Sequence, residues 1–135
     1  GKRREREVCR LHPDDARQRG IADGDIVRFF NDRGACLACA QVTPDVMAGV
    51  VQLPTGAWYD PIDVSQAKPL CVHGNPNVLT QDIGTSSLAQ GCSGQLAAVQ
   101  VERFDGPLPP IRASGELRIW SPVVVMPRIS TVVAG

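Results

Sequence analysis

The chain holds 135 residues, 43% of them hydrophobic, with 14 Lys and Arg against 14 Asp and Glu and a formal net charge of zero. That length suits one domain with a real core. The charge balance excludes a partner recruited by bulk electrostatics, nucleic acid first among them, and no apolar run is long enough to span a bilayer or serve as a secretory h-region.

The basic excess sits in "GKRRERE", where Glu5 and Glu7 interleave with Lys2, Arg3, Arg4 and Arg6. Residues 1–6 read as a charged, solvated lead-in. "EVCRL" is a short strand. In "HPDDARQRG", Pro13 suits a first helical turn, Asp14 and Asp15 complement the positive helix end, and Gly20 supplies a left-handed stop. A two-turn helix from Pro13 to Arg19 is predicted, with His12 at its junction as a cap or packing residue. "DGD" at 23–25 is a turn, and "DIVRFF" is a strand rich in β-formers. "NDRG" at 31–34 has the chemistry of a tight turn, so "ACLACAQV" returns as the second arm of a hairpin. "TPDVMAG" turns again and "VVQLP" is a further strand.

Five cysteines occur, Cys9, Cys36, Cys39, Cys71 and Cys92, an odd count that makes a poor disulfide framework. Cys36 and Cys39 form a CxxC inside a strand, where residues three apart point to opposite faces. Small buried thiols, held in a reducing compartment, are the reading they support, rather than zinc ligands.

After Leu53 the texture changes. "PTGAWYDPIDVSQAKP" holds three prolines and no periodicity, so it is a long loop. "LCVHGNPNVLTQDIGTSSLAQGCSGQ" follows as a second, with one helical turn expected near Thr85 to Ala89. From Pro69 to Gln95, Asp82 is the only acidic or basic side chain apart from His73. "QLAAVQVER" closes as a half-buried strand, and "FDGPLPPIRASG" begins an extended tail over 105–135, expected to add little to the core. The total is about six strands, one or two short helices and two long loops. Such short strands and tight turns point to a mainly β protein closed as a barrel, with both loops adjacent at one end.

The neutral loop lacks the lysine and following helix of a phosphate cradle. Cys71 and His73 have no third ligand or orienting partner that would make a metal or nucleophile site. Two readings remain open. The Asn and Gln amides could match the mixed donor and acceptor edge of a heterocycle such as a pterin or guanine, with Trp58 and Tyr59 covering its face. Alternatively, the loop satisfies only its own backbone. Asn77 could then cap the turn after Pro76, and Trp58 could plug the barrel mouth.

Three segments in order, "LHPDDARQRGIADGDIVRFFNDRG", "GVVQLPTGAWYDP" and "HGNPNVLTQDIGTSSLAQG", resemble the C-terminal domain of the dimethyl sulfoxide, trimethylamine N-oxide and biotin sulfoxide reductases. The resemblance covers residues 7–104. It implies a six-stranded double-psi β-barrel, the molybdopterin dinucleotide-binding domain. It also implies molybdopterin guanine dinucleotide with molybdenum as the cofactor. Trp58, His73, Gly74, Asn75, Asn77 and Gln95 are the positions it places beside that cofactor. None of them is implied as catalytic or as a metal ligand. The chain is far shorter than those enzymes, so the resemblance implies a piece of one. Its partners would be the remaining domains, with no turnover by the piece alone. "ELRIWSPVVVMPRISTVVAG" departs from the family pattern. A self-standing β-barrel interaction or structural module without cofactor is the rival. A pyruvoyl enzyme of the aspartate decarboxylase type is disfavoured, because no Gly-Ser dipeptide is present for self-cleavage.

Overall fold

The "NDRG" hairpin stands at the centre of the protein. The structure is a computed structural model that describes residues 2–81, 86–88, 97–111, 123–126 and 128–129. Strands β2 (Ile26–Phe30) and β3 (Ala35–Val42) pair antiparallel from Ile26↔Cys39 to Phe30↔Ala35. The Asn31 backbone N–H closes the turn on the Gly34 carbonyl at 3.0 Å. The Asn31 Oδ1 accepts from the amides of Arg33 and Gly34, as short polar turn side chains do.

The other edge of β3 carries two parallel partners in succession. Strand β1 (Val8–Leu11) pairs with Cys39 to Val42, and the two-residue β5 (Leu70–Cys71) pairs with Ala35 and Cys36. Strand β4 (Val51–Pro54) lies antiparallel to β1, and β6 (Ala98–Arg103) lies antiparallel to β2. The sheet is thus mixed, and it curls into a half-barrel.

The expected strands all form, but the count among described residues is eight rather than six. Strand β5 is too short to show periodicity. Two more, β7 (Val123–Met126) and β8 (Arg128–Ile129), come from the tail. β7 pairs antiparallel with β4 over four residues, and β8 pairs parallel with β6. No helix among the described residues is long and apolar enough to cross a membrane.

Helix α1 (Pro13–Gln18) has the expected boundaries to within a residue, and the His12 Nδ1 caps it by accepting the Asp14 amide at 3.2 Å. Gly20 takes φ 63°, the left-handed stop that a side chain would resist. Asp15 is buried. Its Oδ2 accepts the Gly49 amide at 2.7 Å, which ties the helix to the turn before β4.

Strand β3 is buried on both faces from Ala35 to Ala40, which explains its small residues. Cys36, Ala38 and Ala40 join Leu11, Val27, Phe29, Leu53, Val99 and Val101 in the main core. Leu37 and Cys39 point the other way, into a smaller cluster with Ile26 and Val72. The CxxC therefore straddles the strand, as its spacing predicts. Burial holds the Cys9, Cys36 and Cys39 thiols above their ordinary pKa, so they remain protonated. Such thiols are poor ligands and poor nucleophiles.

The lead-in differs from expectation. Arg6 is only 4% exposed, not solvated. Its Nε donates to the Val72 carbonyl at 3.0 Å and its Nη2 to the Pro109 carbonyl at 2.6 Å. A planar guanidinium can satisfy several backbone acceptors at once, which makes its burial tolerable without a carboxylate. Burial, with the neighbouring Arg4 charge, lowers its pKa from the ordinary value.

Candidate functional site

The two long loops fold against each other. The Val72 amide donates to the Asp60 carbonyl at 2.8 Å, and the Ile62 amide donates to the Leu70 carbonyl at 2.9 Å. This short ladder, with a bridge from Pro61 to Cys71, holds the Trp58–Tyr59 segment beside the start of the neutral loop. Trp58 and Tyr59 are each 49% exposed, so neither ring plugs the core. Their half-free faces are available to a flat partner.

His73 is 1% exposed. Its Nε2 lies 2.9 Å from Lys2 Nζ. A lysine ammonium can only donate, so Nε2 is the acceptor and the ring proton sits on Nδ1. Among the described residues that N–H meets no acceptor in full hydrogen-bond geometry, and the Trp58 carbonyl acts on the ring only as a weak acceptor. Burial and the Lys2 charge lower the His73 pKa, with the Trp58 carbonyl and Asp60 pulling the other way. The imidazole is thus neutral at neutral pH, with one buried donor only weakly engaged. A buried donor poorly paired costs up to about 1–3 kcal/mol.

Gly74 follows at φ 93°, and a Cβ there would stand 3.0 Å from the Leu37 carbonyl oxygen and 3.2 Å from Glu7 Cβ. Both the backbone angle and the close approach require glycine. The half-buried Asn75 caps a 3-10 helix (Pro76–Val78), its side chain accepting the Asn77 amide at 2.9 Å. Capping therefore belongs to Asn75. Asn77 is exposed, and its side-chain amide makes no hydrogen bond among the described residues. Gln95, Thr85 and Ala89 lie outside the described residues, and the described Ser86 to Leu88 bend rather than form the helical turn expected there.

The hairpin tip braces this loop. The Asn31 Nδ2 donates to the Leu79 carbonyl at 2.8 Å and to the Ala98 carbonyl at 3.2 Å. Arg33 Nη2 donates to Gln81 Oε1 at 2.7 Å, and Lys68 Nζ donates to the Asp32 carbonyl. The Gly34 backbone sits so close to Val78 that a Cβ would fall 2.7 Å from the Val78 oxygen.

The structure thus links Trp58 with His73 through the loop ladder, and Asn75 and Asn77 with the hairpin tip. Sequence reasoning missed Lys2, Arg6 and Asn31. Each acts on a backbone or ring atom remote in the chain, and no local pattern marks such a contact. Among the described residues, no three His, Cys, Asp or Glu side chains converge as a metal site. A separate groove of about 440 Å³ lies between Arg4, Asp25, Arg103, Phe104 and Asp105. The carboxylates there are engaged: Asp105 with Arg103, and Asp25 with the Ala22 amide.

A family model described as the Molydopterin dinucleotide binding domain matches residues 1–98. The chain is 54% identical over 101 residues to a dimethyl sulfoxide/trimethylamine N-oxide reductase of Rhodobacter capsulatus, covering 75% of this chain and 12% of that protein. It is 55% identical over 106 residues to a biotin sulfoxide reductase of Cereibacter sphaeroides, covering 78% and 14%. It is 51% identical over 108 residues to a trimethylamine-N-oxide reductase of Haemophilus influenzae, covering 79% and 13%. The chain spans between 12% and 14% of the length of these relatives.

Proposed function

The chain belongs to the molybdopterin dinucleotide-binding domain family, and from that premise we propose that it holds part of a molybdopterin guanine dinucleotide cofactor in a larger oxidoreductase acting on S-oxides or N-oxides. The observation that carries this reading is the donor set of the neutral loop. A buried His73 N–H that is only weakly met among the described residues, an exposed Asn77 amide and the half-exposed Trp58 ring suit a neutral, acceptor-rich heterocycle. When bound, the molybdenum centre would supply the two-electron chemistry of oxygen-atom removal.

This chain's residues bind and orient rather than react. His73 would donate from Nδ1 to a ring acceptor or carbonyl. Asn77 would donate and accept at the pterin edge, with Gln95 and Asn75 as further polar contacts supplied by the same loop. Gly74 would keep the backbone low beneath that edge, and Trp58 would shield one side from water. The remaining domains of the same enzyme would be its partners, and the chain alone would not turn over. In this reading the half-barrel closes as a double-psi β-barrel over residues 7–104, to which the lead-in adds the Arg6 hydrogen bonds and the tail adds β7 on β4 and β8 on β6. The parallel pairing of β1 and β5 with β3, between antiparallel pairs on either side, supports that closure.

The test is the molybdenum and guanine nucleotide content of the purified whole enzyme carrying Asn77→Leu, with Thr43→Ala as the control away from the loops. A lost hydrogen bond in a dry site is worth about 1–3 kcal/mol, so retention should fall about tenfold or more. Full content in Asn77→Leu would overturn the cofactor reading and favour an interaction module presenting Trp58, Tyr59, Ile62 and Val64 as a docking face, all of them exposed.

A further inference from the structure

The neutral loop leaves the sheet after Cys71 and returns at Ala98, and one side chain touches both of its arms. The Asn31 Nδ2 reaches the Leu79 carbonyl, six residues after His73 across the 3-10 turn, and the Ala98 carbonyl at the loop's return. Its Oδ1 is held by the Arg33 and Gly34 amides. All of the amide's polar atoms are engaged, and their partners fix its orientation: backbone N–H groups meet the oxygen, backbone carbonyls meet the nitrogen.

We infer that Asn31 is a positioning residue for the ligand site, a clasp that sets the arm carrying His73, Asn75 and Asn77 against the returning strand β6. The inference rests on the cofactor reading above. A turn alone does not require asparagine here, because Asp or Ser also caps such a turn through its oxygen. Only the amide nitrogen can donate to two carbonyls while the oxygen serves the turn. The hairpin is pinned on both edges of β3 and by β6, so the clasp transmits a rigid frame to residues 72–81, where the 3-10 turn is the regular element.

The experiment compares Asn31→Asp and Asn31→Ser with the natural protein. Both variants keep an oxygen for the turn. The first replaces the donor by an anion facing two carbonyls, and the second is too short to reach them. Two quantities are read on the purified whole enzyme: amide hydrogen exchange of the segment from Val72 to Gln81, and molybdenum and guanine nucleotide retained after gel filtration. Exchange there should quicken about tenfold, the effect of one lost hydrogen bond, while the β2 and β3 segments stay unchanged, and cofactor retention should fall in step. If Asn31→Asp fails to fold, Asn31→Ser decides on the same readouts.

Unchanged exchange in the loop overturns the clasp. Faster exchange with full cofactor retention, while Asn77→Leu loses cofactor, overturns the positioning role and leaves the site standing. Full retention in Asn77→Leu as well means that the cofactor reading itself has failed.

Discussion

Replacing Arg6 by Met keeps the length and apolar stem of the side chain but removes every donor. Three carbonyls then lose their partner, those of Val72, Pro109 and the exposed Arg4. Val72 is 1% exposed, so its oxygen is stranded, while the half-buried Pro109 can turn to water. A buried acceptor left unpaired costs about 1–3 kcal/mol, and a rehydrated one costs less. Against this, the desolvation that lowers the Arg6 pKa is relieved. The net expectation is a loss of about 2 kcal/mol, with Arg6→Lys losing about half of that because one donor can still reach Val72. At a urea slope of about 2 kcal/mol per M, the midpoint for Arg6→Met should drop by about 1 M. The partners are neutral carbonyls, so the loss should be the same at low and high salt, unlike that of an exposed ion pair. Urea titrations followed by far-UV circular dichroism at two ionic strengths measure both quantities. A midpoint that does not move would mean that the guanidinium's burial cancels its hydrogen bonds. A strongly salt-dependent loss would mean that its charge, rather than its fork of donors, is what the fold uses.

Gly34→Ala should destabilise the protein by about 1–3 kcal/mol, because the new methyl must displace a backbone oxygen rather than a flexible side chain. A thermal melt checks this, and an unchanged melting temperature would show that Val78 moves freely. For His73 the sign follows from its lowered folded-state pKa. The unfolded chain takes up the proton first as pH falls, so this contribution to stability is complete above about pH 6.5 and declines as pH drops from there toward the folded value. His73→Gln should flatten the pH dependence of the urea midpoint over that window, and an equal slope in natural and variant protein would refute the assignment.

Elements whose signals are local were legible in the sequence. Pro13, the two aspartates and Gly20 bracket α1, and Asn31 to Gly34 close a hairpin whose arms carry β-formers. The alternation along "ACLACAQV" was enough to send Cys36 and Cys39 to opposite faces. What escaped depends on distant partners. Arg6 finds its carbonyl 66 positions away, Lys2 meets His73 across 71, and Asn31 reaches across 48 and 67. In "GKRRERE" the charge pattern says solvent, and nothing within it marks which arginine is to be buried. Strand β5 has two residues and no periodicity to read. The neutral loop was recognisable as unusual by its composition, but composition assigns no work to individual amides. The structure gives capping to Asn75 and leaves Asn77 exposed.

The pinning of the neutral loop at Leu79 and Ala98 also bears on how this protein can diverge. Both ends are held by one hairpin, so insertions or deletions between Gln81 and Ala97 need not shift Trp58, His73 or Asn77. The entropy of closing a chain between fixed ends grows only logarithmically, about 0.6 kcal/mol for each doubling of length. Size variation among homologues should therefore concentrate between those two anchors, while the hairpin "NDRG" and the turn "HGNPN" keep a constant spacing in the chain.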